Sequence, residues 1–342
     1  MVLSKKLVSL GAFFSLPGIA YAGWDPARSN NIALYWGQNS YGKGTGDLAQ
    51  QRLSHYCDNK DVDVIQLSFM TRIKGLGNVP QVNFANQGDI CKPFPGTDLL
   101  HCPQIGEDIK ACQAKGKAIL LSIGGATYSE GGFGSSDEAI ASANLVWDIF
   151  GPSKSNSSTV RPFDSAVVDG FDLDFEATVK HMIPFANRLR ELYKTDSSKR
   201  YYLTAAPQCP YPDMNNKEML DGGVKFDALF IQFYNNFCGV NSFKPGSKEQ
   251  PAFNFAEWDK WAKSTSGNKD VKIVVGAPAN SGAAGSGYVD AKSLVAVTAW
   301  CKSFSTFGGV MLWDASQGWA NSGFISTVKQ GLSSTASQIM CA

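Results

Sequence analysis

The sequence carries no excess of charge of either sign. Its 342 residues include 31 lysines and arginines and 30 aspartates and glutamates, which gives a formal net charge of +1. A protein that binds nucleic acid through general phosphate neutralisation needs a clear excess of basic residues. The charge balance therefore argues against nucleic acid as a partner.

Spacings typical of metal ligands are also missing. The chain has only three histidines, and none of its cysteines is separated from another by the two residues of a Cys-x-x-Cys pair. Zinc sites usually draw their ligands from such closely spaced cysteines and histidines. We therefore predict that the protein holds no metal ion and needs no cofactor.

Only one long apolar segment occurs, at the beginning of the chain. Lys5 and Lys6 precede an apolar run at 7–19, and the small-x-small sequence 20–22 follows it. This order is typical of a secretory signal peptide, and the run is too short to span a bilayer. We predict a signal peptide at 1–22, a mature chain at 23–342, a secreted, extracellular protein, and no membrane anchor.

Predicted secretion decides how the eight cysteines are interpreted. An even number of cysteines in an oxidising compartment predicts disulfide bonds, but eight cysteines allow 105 connectivities and their spacing selects none of them. The one Asn-x-Ser/Thr sequon lies at Asn156, in a serine-rich stretch that would suit a glycan. Whether it is glycosylated stays open.

Short apolar runs alternate with helical patterns along the mature chain. Most runs lack polar alternation, as strands buried on both faces do. Strands that alternate with helices favour a parallel sheet, and eight of them in one α/β domain predict a (β/α)8 TIM barrel. A doubly wound open sheet is the alternative. The runs lie at 32–36, 64–70, 118–123, 167–175, 202–206, 228–234, 271–277 and 309–313, and the helical patterns at 47–59, 105–115, 136–150, 181–193, 256–263, 291–304 and 322–332.

A glycine-rich segment at 37–46 follows the first predicted strand. Gly37, Gly42 and Lys43 match most of a phosphate-binding loop, but Gly44 stands where the magnesium-binding Ser or Thr should be. We therefore expect a flexible loop over the barrel mouth. The missing hydroxyl also weakens the open-sheet alternative, which would need such a loop.

The most informative stretch is the fourth predicted strand. Side chains alternate between the two faces of a strand, so Asp172, Asp174 and Glu176 share one face and the hydrophobic residues between them share the other. Adjacent like charges are costly in a barrel interior. A solvated acidic face or a calcium site is the alternative. Acid–base chemistry explains the pattern better, because coupling raises the pKa of the outermost carboxyl.

The segment DGFDLDFE at 169–176 resembles the signature of glycoside hydrolase family 18. Four further segments resemble other motifs of that family, in the same order along the chain. The first of these segments resembles the first strand of the family's plant and fungal class III branch. They are IALYWGQN at 32–39, LSIGG at 121–125, QFYNN at 232–236 and GGVMLW at 308–313. The resemblance implies a secreted endochitinase that hydrolyses β-1,4 linkages between N-acetylglucosamine units of chitin or chitooligosaccharides.

The resemblance also implies roles for individual residues. Glu176 would protonate the leaving oxygen and later activate water. Asp174 would hydrogen-bond the N-acetyl group of the substrate and share a proton with Asp172, and Tyr234 would steady the same acetamido group. The implied substrate-binding residues are Tyr35, Phe69, Gln232 and Asn235, which would line the groove, and Trp313, which would form the floor of the sugar subsite.

A retaining, substrate-assisted mechanism follows from the same resemblance. The acetamido oxygen of the substrate would attack the anomeric carbon, so no second carboxylate is needed as nucleophile. The class III branch further implies three disulfide pairs and leaves two cysteines open. The pairs are Cys57–Cys112, Cys91–Cys102 and Cys209–Cys238, and the remaining cysteines are Cys301 and Cys341.

Two other functions compete with this interpretation. A non-catalytic chitin-binding or inhibitor protein on the same barrel would typically have lost the acid or its partners, all of which are present here. An enzyme that cuts the N,N′-diacetylchitobiose core of N-glycans would share the catalytic motif. The first strand and the cysteine pattern favour chitin as substrate, and we expect a monomer.

Overall fold

Eight parallel strands form a closed barrel in the computed structural model, which describes residues 24–152 and 159–334. The first strand pairs with both the second and the last, and this pairing closes the sheet. The predicted (β/α)8 barrel in a single domain is confirmed, and the open-sheet alternative is wrong. The strands are β1 Asn31–Trp36, β2 Val64–Arg72, β3 Ala118–Gly124, β4 Gly170–Asp174, β5 Tyr202–Ala205, β6 Ala228–Gln232, β7 Lys272–Pro278 and β8 Phe307–Trp313.

Helices connect the barrel strands, and short elements decorate the loops. In the described ranges none of the helices is both long and apolar enough to cross a membrane. The α-helices are Leu53–Cys57, Pro103–Ala114, Ser136–Phe150, Met182–Tyr193, Lys217–Asp221, Phe255–Ser264, Ala291–Cys301, Ala315–Ala320 and Phe324–Ser333. The short strands are Gln81–Val82, Lys92–Pro93 and Leu100–His101, and 3₁₀ turns lie at Leu76–Asn78 and Val240–Ser242.

The helix predicted at 47–59 is wrong over most of its length, since only Leu53–Cys57 is helical. The side chain of Gln50 accounts for the difference. Its oxygen accepts hydrogen bonds from the backbone N–H groups of Gly37 and Asn39 at 3.0 and 2.9 Å, and its amide donates to the carbonyl of Ala85 at 2.9 Å. These long-range bonds hold the segment as a loop against the barrel mouth.

Side chains on the barrel strands form two separate cores. The outer core lies between the strands and the helices and contains Phe171, Leu173 and Phe175. The inner core fills the barrel and contains residues such as Leu120 and Met311. Because alternate residues face opposite cores, the carboxylates of β4 lie on the interior face, as the sequence pattern predicts.

The carboxylate strand approaches its neighbour β5 very closely at its first residue. Gly170 has a φ of +142°, and a Cβ atom there would lie 1.9 Å from the carbonyl oxygen of Tyr202. Only glycine fits this position, since any side chain would collide with the backbone of β5. The glycine therefore allows the register that brings the carboxylates opposite their partners.

Three disulfide bonds join the pairs that the family resemblance implies. They are Cys57–Cys112, Cys91–Cys102 and Cys209–Cys238. Cys301 is buried and has no disulfide partner within the described residues. Its pairing with Cys341, the state of Asn156 and the signal peptide at 1–22 all concern residues that lie outside the described ranges.

The Cys209–Cys238 bond links the loops that follow β5 and β6, which both contribute residues to the cavity described below. We expect the double variant Cys209→Ser/Cys238→Ser to lose about 2–4 kcal/mol of unfolding free energy, because the unfolded chain gains freedom. Denaturant unfolding would measure this loss. We also expect reduced activity below the unfolding temperature, since two cavity loops lose their link.

The variant Cys91→Ser/Cys102→Ser is the matched control. It also removes one disulfide, but neither of its cysteines belongs to a loop that lines the cavity. It should lose stability while the folded protein keeps its activity. An unchanged denaturant midpoint in the Cys209/Cys238 variant would contradict the structural role of that bond.

Candidate active site

One cavity opens at the carboxyl ends of the barrel strands. Every one of the eight strands, or the loop that follows it, contributes at least one residue to the cavity wall. This end of a (β/α)8 barrel is where the active sites of such proteins lie. The lining residues are Gln38, Phe69, Ala126, Thr127, Asp174, Glu176, Gln208, Gln232, Tyr234, Asn235, Asn236, Ala283 and Trp313.

Asp172 is fully buried beneath this cavity and accepts three hydroxyl hydrogen bonds. Ser122 and Thr204 lie opposite it on the neighbouring strands, and their hydroxyls donate at 2.8 and 2.6 Å. Tyr35 donates from β1 at 2.7 Å. Burial raises the pKa of Asp172, and the three hydroxyl donors oppose that rise. The carboxyl group is thus held rigidly in the barrel interior.

Asp174 is buried next to Asp172 and lines the cavity floor. Its Oδ1 accepts a hydrogen bond from Nε2 of Gln232 at 2.9 Å, and the same amide group donates to the carbonyl of Ala206 at 3.1 Å. Burial and the charges of Glu176 and Asp172 hold the pKa of Asp174 well above its usual range. No hydrogen bond joins Asp172 to Asp174 within the described part of the chain, so their proton sharing stays a prediction.

Glu176 is the most exposed of the three carboxylates on this strand and lines the cavity wall. Nε2 of Gln232 lies 3.5 Å from its Oε1, at the limit of a hydrogen bond. Partial burial raises the pKa of Glu176, the contact with Gln232 lowers it, and the charge of Asp213 raises it further. A carboxyl group with a raised pKa at a cavity wall is suited to donate a proton near neutral pH.

Tyr234 lines the cavity at the end of β6 and is almost fully buried. Burial and the nearby charges of Asp174, Glu176 and Asp172 hold the pKa of its hydroxyl well above its usual range. Its hydroxyl has no hydrogen-bond partner among residues 24–152 and 159–334, and it is therefore available to a bound ligand. A neutral phenol in this place is a hydrogen-bond donor at any physiological pH.

Aromatic rings form one side of the cavity. Trp313 and Phe69 stack with their ring centroids 5.9 Å apart and their planes at 20°. Both rings line the cavity, which is the arrangement expected of a platform for a sugar ring. Trp313 is partly exposed and can therefore contact a ligand directly.

Tyr35 does not line the groove, contrary to the sequence-based prediction. It is 1% exposed, its ring packs beneath Trp313 at a centroid distance of 5.4 Å, and its hydroxyl bonds Asp172. The reason is that the rings of Trp313 and Phe69, which line the cavity, both pack against Tyr35. Its place is under the site, where it orients a carboxylate.

Asn235 lines the cavity with a left-handed backbone, at φ 56°. Its Oδ1 accepts a hydrogen bond from the N–H group of Ser286, and its own N–H group donates to the carbonyl of Ser286, both at 3.1 Å. These bonds attach the loop after β6 to the loop after β7. Asn235 thus shapes the cavity wall beside Tyr234.

Several residues of the site were missed by the sequence analysis. Ser122 and Thr204 were detectable from the period-two alternation of β3 and β5, which turns both of them inward. Asp213 and Gln208 lie in the loop after β5 and give no such local signal. The remaining missed residues that line the cavity are Gln38, Ala126, Thr127, Asn236 and Ala283.

Asp169 belongs to the same segment but has a different role. Its Oδ2 accepts from the backbone of Ile119 at 2.8 Å and from Gln113 at 2.9 Å, and Lys199 lies 2.7 Å from its Oδ1. These contacts lie at the amino ends of the strands, away from the cavity. Asp169 is therefore a structural residue of the barrel bottom.

The carboxylates of β4 receive hydrogen bonds from protein hydroxyl and amide groups. Across the described ranges, no group of three or more histidine, cysteine, aspartate or glutamate side chains is arranged to hold a metal ion. The geometry suits proton-transfer chemistry: one carboxyl is buried beneath the cavity, and two others line it. Together with the aromatic platform, these features indicate a barrel enzyme that acts on glycosidic bonds.

The comparisons with known proteins agree with this class. A model of the family "Glycosyl hydrolases family 18" matches residues 31–286, and the chain belongs to that family. It is 63% identical to "Class III chitinase" of Arthroderma benhamiae over 98% of this chain and 96% of the relative. It is 46% identical to "Endochitinase 33" of Trichoderma harzianum over 96% of this chain and 99% of the relative.

Solved structures show the same likeness. A chitinase from Ipomoea carnea superposes with a TM-score of 0.69 at 28% identity, covering 88% of this chain and 99% of that chain. A xylanase and α-amylase inhibitor protein from Scadoxus multiflorus also gives a TM-score of 0.69 at 28% identity, covering 87% and 97%. The same barrel is therefore found in an enzyme and in an inhibitor.

Proposed function

We propose that the protein is a secreted endochitinase that hydrolyses β-1,4 linkages between N-acetylglucosamine units with retention of configuration. The observation that carries this proposal is the cavity in which Glu176, Asp174 and Tyr234 meet above the buried Asp172. The names of the fungal relatives support chitin as the substrate. Three disulfide bonds and the signal-like sequence at 1–22 support secretion of a mature chain at 23–342. We propose that it acts as a monomer.

The arrangement of carboxylates supports substrate assistance. In the described part of the chain, Asp174 and Glu176 are the only carboxylates that line the cavity. Asp174 ends β4 and Glu176 follows two residues later, so both approach a bound sugar from the same side. An ordinary retaining enzyme needs its acid and its nucleophile on opposite sides of the scissile bond. The nucleophile would therefore be the acetamido oxygen of the substrate.

Each residue then has a defined task. Glu176 donates its proton to the leaving glycosidic oxygen as the acetamido oxygen attacks the anomeric carbon, and the product of this step is an oxazolinium ion. Asp174 stabilises the positive charge and orients the amide, while the free hydroxyl of Tyr234 donates to the amide oxygen. Glu176, now ionised, takes a proton from the water that opens the ring.

The structural likeness to an inhibitor protein raises a second candidate function. A protein that only binds and inhibits other glycosidases does not require a general acid with a raised pKa. Glu176, Asp174 and the unpartnered hydroxyl of Tyr234 together favour hydrolysis. Assays of chitin-oligosaccharide hydrolysis and of xylanase inhibition on the same preparation would separate the two functions.

The mechanism is tested by the anomer that is released first. We expect N-acetylglucosamine oligomers to yield the β-anomer, as observed by time-resolved proton NMR, because the oxazolinium ion blocks one face of the sugar. A thiazoline analogue should inhibit, since it mimics that ion and transition-state-like ligands bind far more tightly than substrate. Oligomers without the N-acetyl group at the scissile sugar should not be cleaved there.

Two outcomes would contradict this mechanism. Initial release of the α-anomer would show inversion. Equal cleavage of the de-N-acetylated oligomer would show that the acetamido oxygen is not the nucleophile. An N-glycoprotein serves as the control substrate. Release of its glycan in preference to cleavage of chitin oligomers would assign the enzyme to the N,N′-diacetylchitobiose core instead.

A further inference from the structure

A fourth carboxylate lies beside the site on a different element. Asp213 belongs to the loop after β5 and is 4% exposed. Its two oxygens accept hydrogen bonds from the backbone N–H groups of Gln208 at 2.7 Å, Asn215 at 2.8 Å and Asn216 at 3.4 Å, and from Nδ2 of Asn216 at 3.0 Å. Four N–H donors stabilise the ionised form of a carboxyl group.

Among the residues that the structure describes, no cation neutralises this buried carboxylate. No lysine, arginine or histidine nitrogen lies within 4 Å of Asp213 in the described part of the chain. Backbone and amide dipoles alone compensate its charge, and they leave the field of a full negative charge in the low-dielectric surroundings. The carboxylate lies close to the cavity, because Gln208, whose N–H group donates to Asp213, lines it.

Hydrogen bonds connect Asp213 to the end of the carboxylate strand. Nδ2 of Asn216 bridges Asp213 and the carbonyl of Phe175, which it binds at 3.0 Å. Nδ2 of Asn215 donates to the carbonyl of Glu176 at 2.9 Å. Both asparagines take their own positions from backbone bonds to Asp213. The loop after β5 therefore clamps the backbone of Glu176 and its neighbour.

We propose that Asp213 is a positioning residue: through Asn215 and Asn216 it fixes the backbone that carries Glu176, and it places a buried negative charge on the loop that holds this general acid. The proposal rests on the function proposed above, in which Glu176 is the general acid. It adds an electrostatic element from outside the DGFDLDFE segment, 37 positions along the chain from Glu176. When two carboxyl groups lie close together, the one with fewer hydrogen-bond donors is harder to ionise. Here that group is Glu176, because Asp213 accepts four hydrogen bonds.

Several titratable groups face Glu176, and the charge of Asp213 is the one that raises its pKa. Asp174 and Asp172 face it from its own strand, Tyr234 from β6 and Asp213 from the loop after β5. The charge of Asp213 also raises the pKa of Asp174. Within the described residues no lysine, arginine or histidine forms an ion pair with any of these carboxylates, so the weak contact with Gln232 is what opposes the effect of Asp213.

The test is a direct titration of Glu176 by carbon NMR of glutamate-labelled protein, with its signal assigned by its loss in Glu176→Gln. We expect Asp213→Asn to lower the pKa of Glu176 by on the order of one unit, since the variant removes a nearby negative charge and nearly keeps the shape. The alkaline limb of the kcat/KM profile should move to lower pH by the same amount. Asp213→Ser replaces this variant if the asparagine form does not fold.

Two further variants separate charge from positioning. Asp213→Glu keeps the charge and should keep the pKa of Glu176 closer to that of the parent protein. Asn215→Ala removes the bond to the Glu176 carbonyl without altering any charge, and it should lower kcat while the pKa stays unchanged. A parent-like pKa in the neutral Asp213 variant, or an equal shift in Asn215→Ala, would overturn the proposal.

The titration needs no substrate, so it is independent of the proposed function. If the parent protein failed to cleave chitin oligomers, the function would be wrong, and the pKa comparison would still decide the role of Asp213. If chitin were cleaved but the pKa did not respond to the charge at position 213, only the inference about Asp213 would fall.

Discussion

Replacement of Glu176 by glutamine is expected to lower chitin-oligosaccharide hydrolysis by about 10²–10⁴-fold. Glutamine keeps the shape of the side chain, so the aromatic platform and the hydroxyl of Tyr234 should still bind the ligand. The glutamine amide has no acidic proton to transfer to the leaving oxygen. Initial rates together with calorimetric binding of an oligomer would show lost kcat and retained affinity.

The exposed Glu249 offers a matched control, because Glu249→Gln makes the same chemical change at a residue that does not line the cavity. Its turnover should equal that of the parent. The parent should also lose activity as the pH rises through the elevated pKa of Glu176, since only the protonated form is an acid. Near-parental turnover of Glu176→Gln would show that another group supplies the proton.

Asp174→Asn is expected to lower kcat by about 10²-fold, less than the loss of Glu176, because it weakens electrostatic stabilisation and leaves the acid in place. The neutral amide cannot balance the positive charge of the oxazolinium ion. Its carbonyl oxygen can still accept the hydrogen bond that Nε2 of Gln232 donates to Asp174, so the amide NH₂ replaces the other carboxylate oxygen. Affinity for a thiazoline analogue should fall more than affinity for substrate, since the analogue resembles the charged intermediate.

Asp169→Asn is the control on the same segment. It removes a charge that pairs with Lys199 at the other end of the barrel. Its melting temperature should fall, while kcat of the folded protein should stay at the parental value. If Asp174→Asn raised KM and left kcat intact, Asp174 would only contribute to ground-state binding.

The chemical character of the site was predictable because local sequence patterns determine it. The period-two alternation of 171–176 placed three carboxylates on one face and their hydrophobic neighbours on the other, and the two cores of the barrel confirm this. Five motifs in order predicted the family, which the comparison confirms. The apolar runs predicted eight strands, since strands buried on both faces must be apolar.

Contacts between distant segments were decided only by the tertiary structure. Tyr35 was expected to line the groove, yet the rings of Phe69 and Trp313 pack over it and its hydroxyl donates to Asp172. Gln50 prevents the helix predicted around it through bonds to two other loops. Neither outcome follows from local periodicity, because each depends on which strand and loop ends meet at the barrel mouth.

The sequence by itself determined the family, the barrel, and which face of β4 carries the acid and its two supporting carboxylates, because strand periodicity and motif order are local properties. The tertiary structure alone decided that Ser122, Thr204 and Tyr35 hold Asp172, and that Asn215 links Asp213 to the backbone of Glu176. The physical reason is that barrel closure and loop packing bring together residues far apart in the chain, and these neighbours set the environment in which each carboxyl titrates.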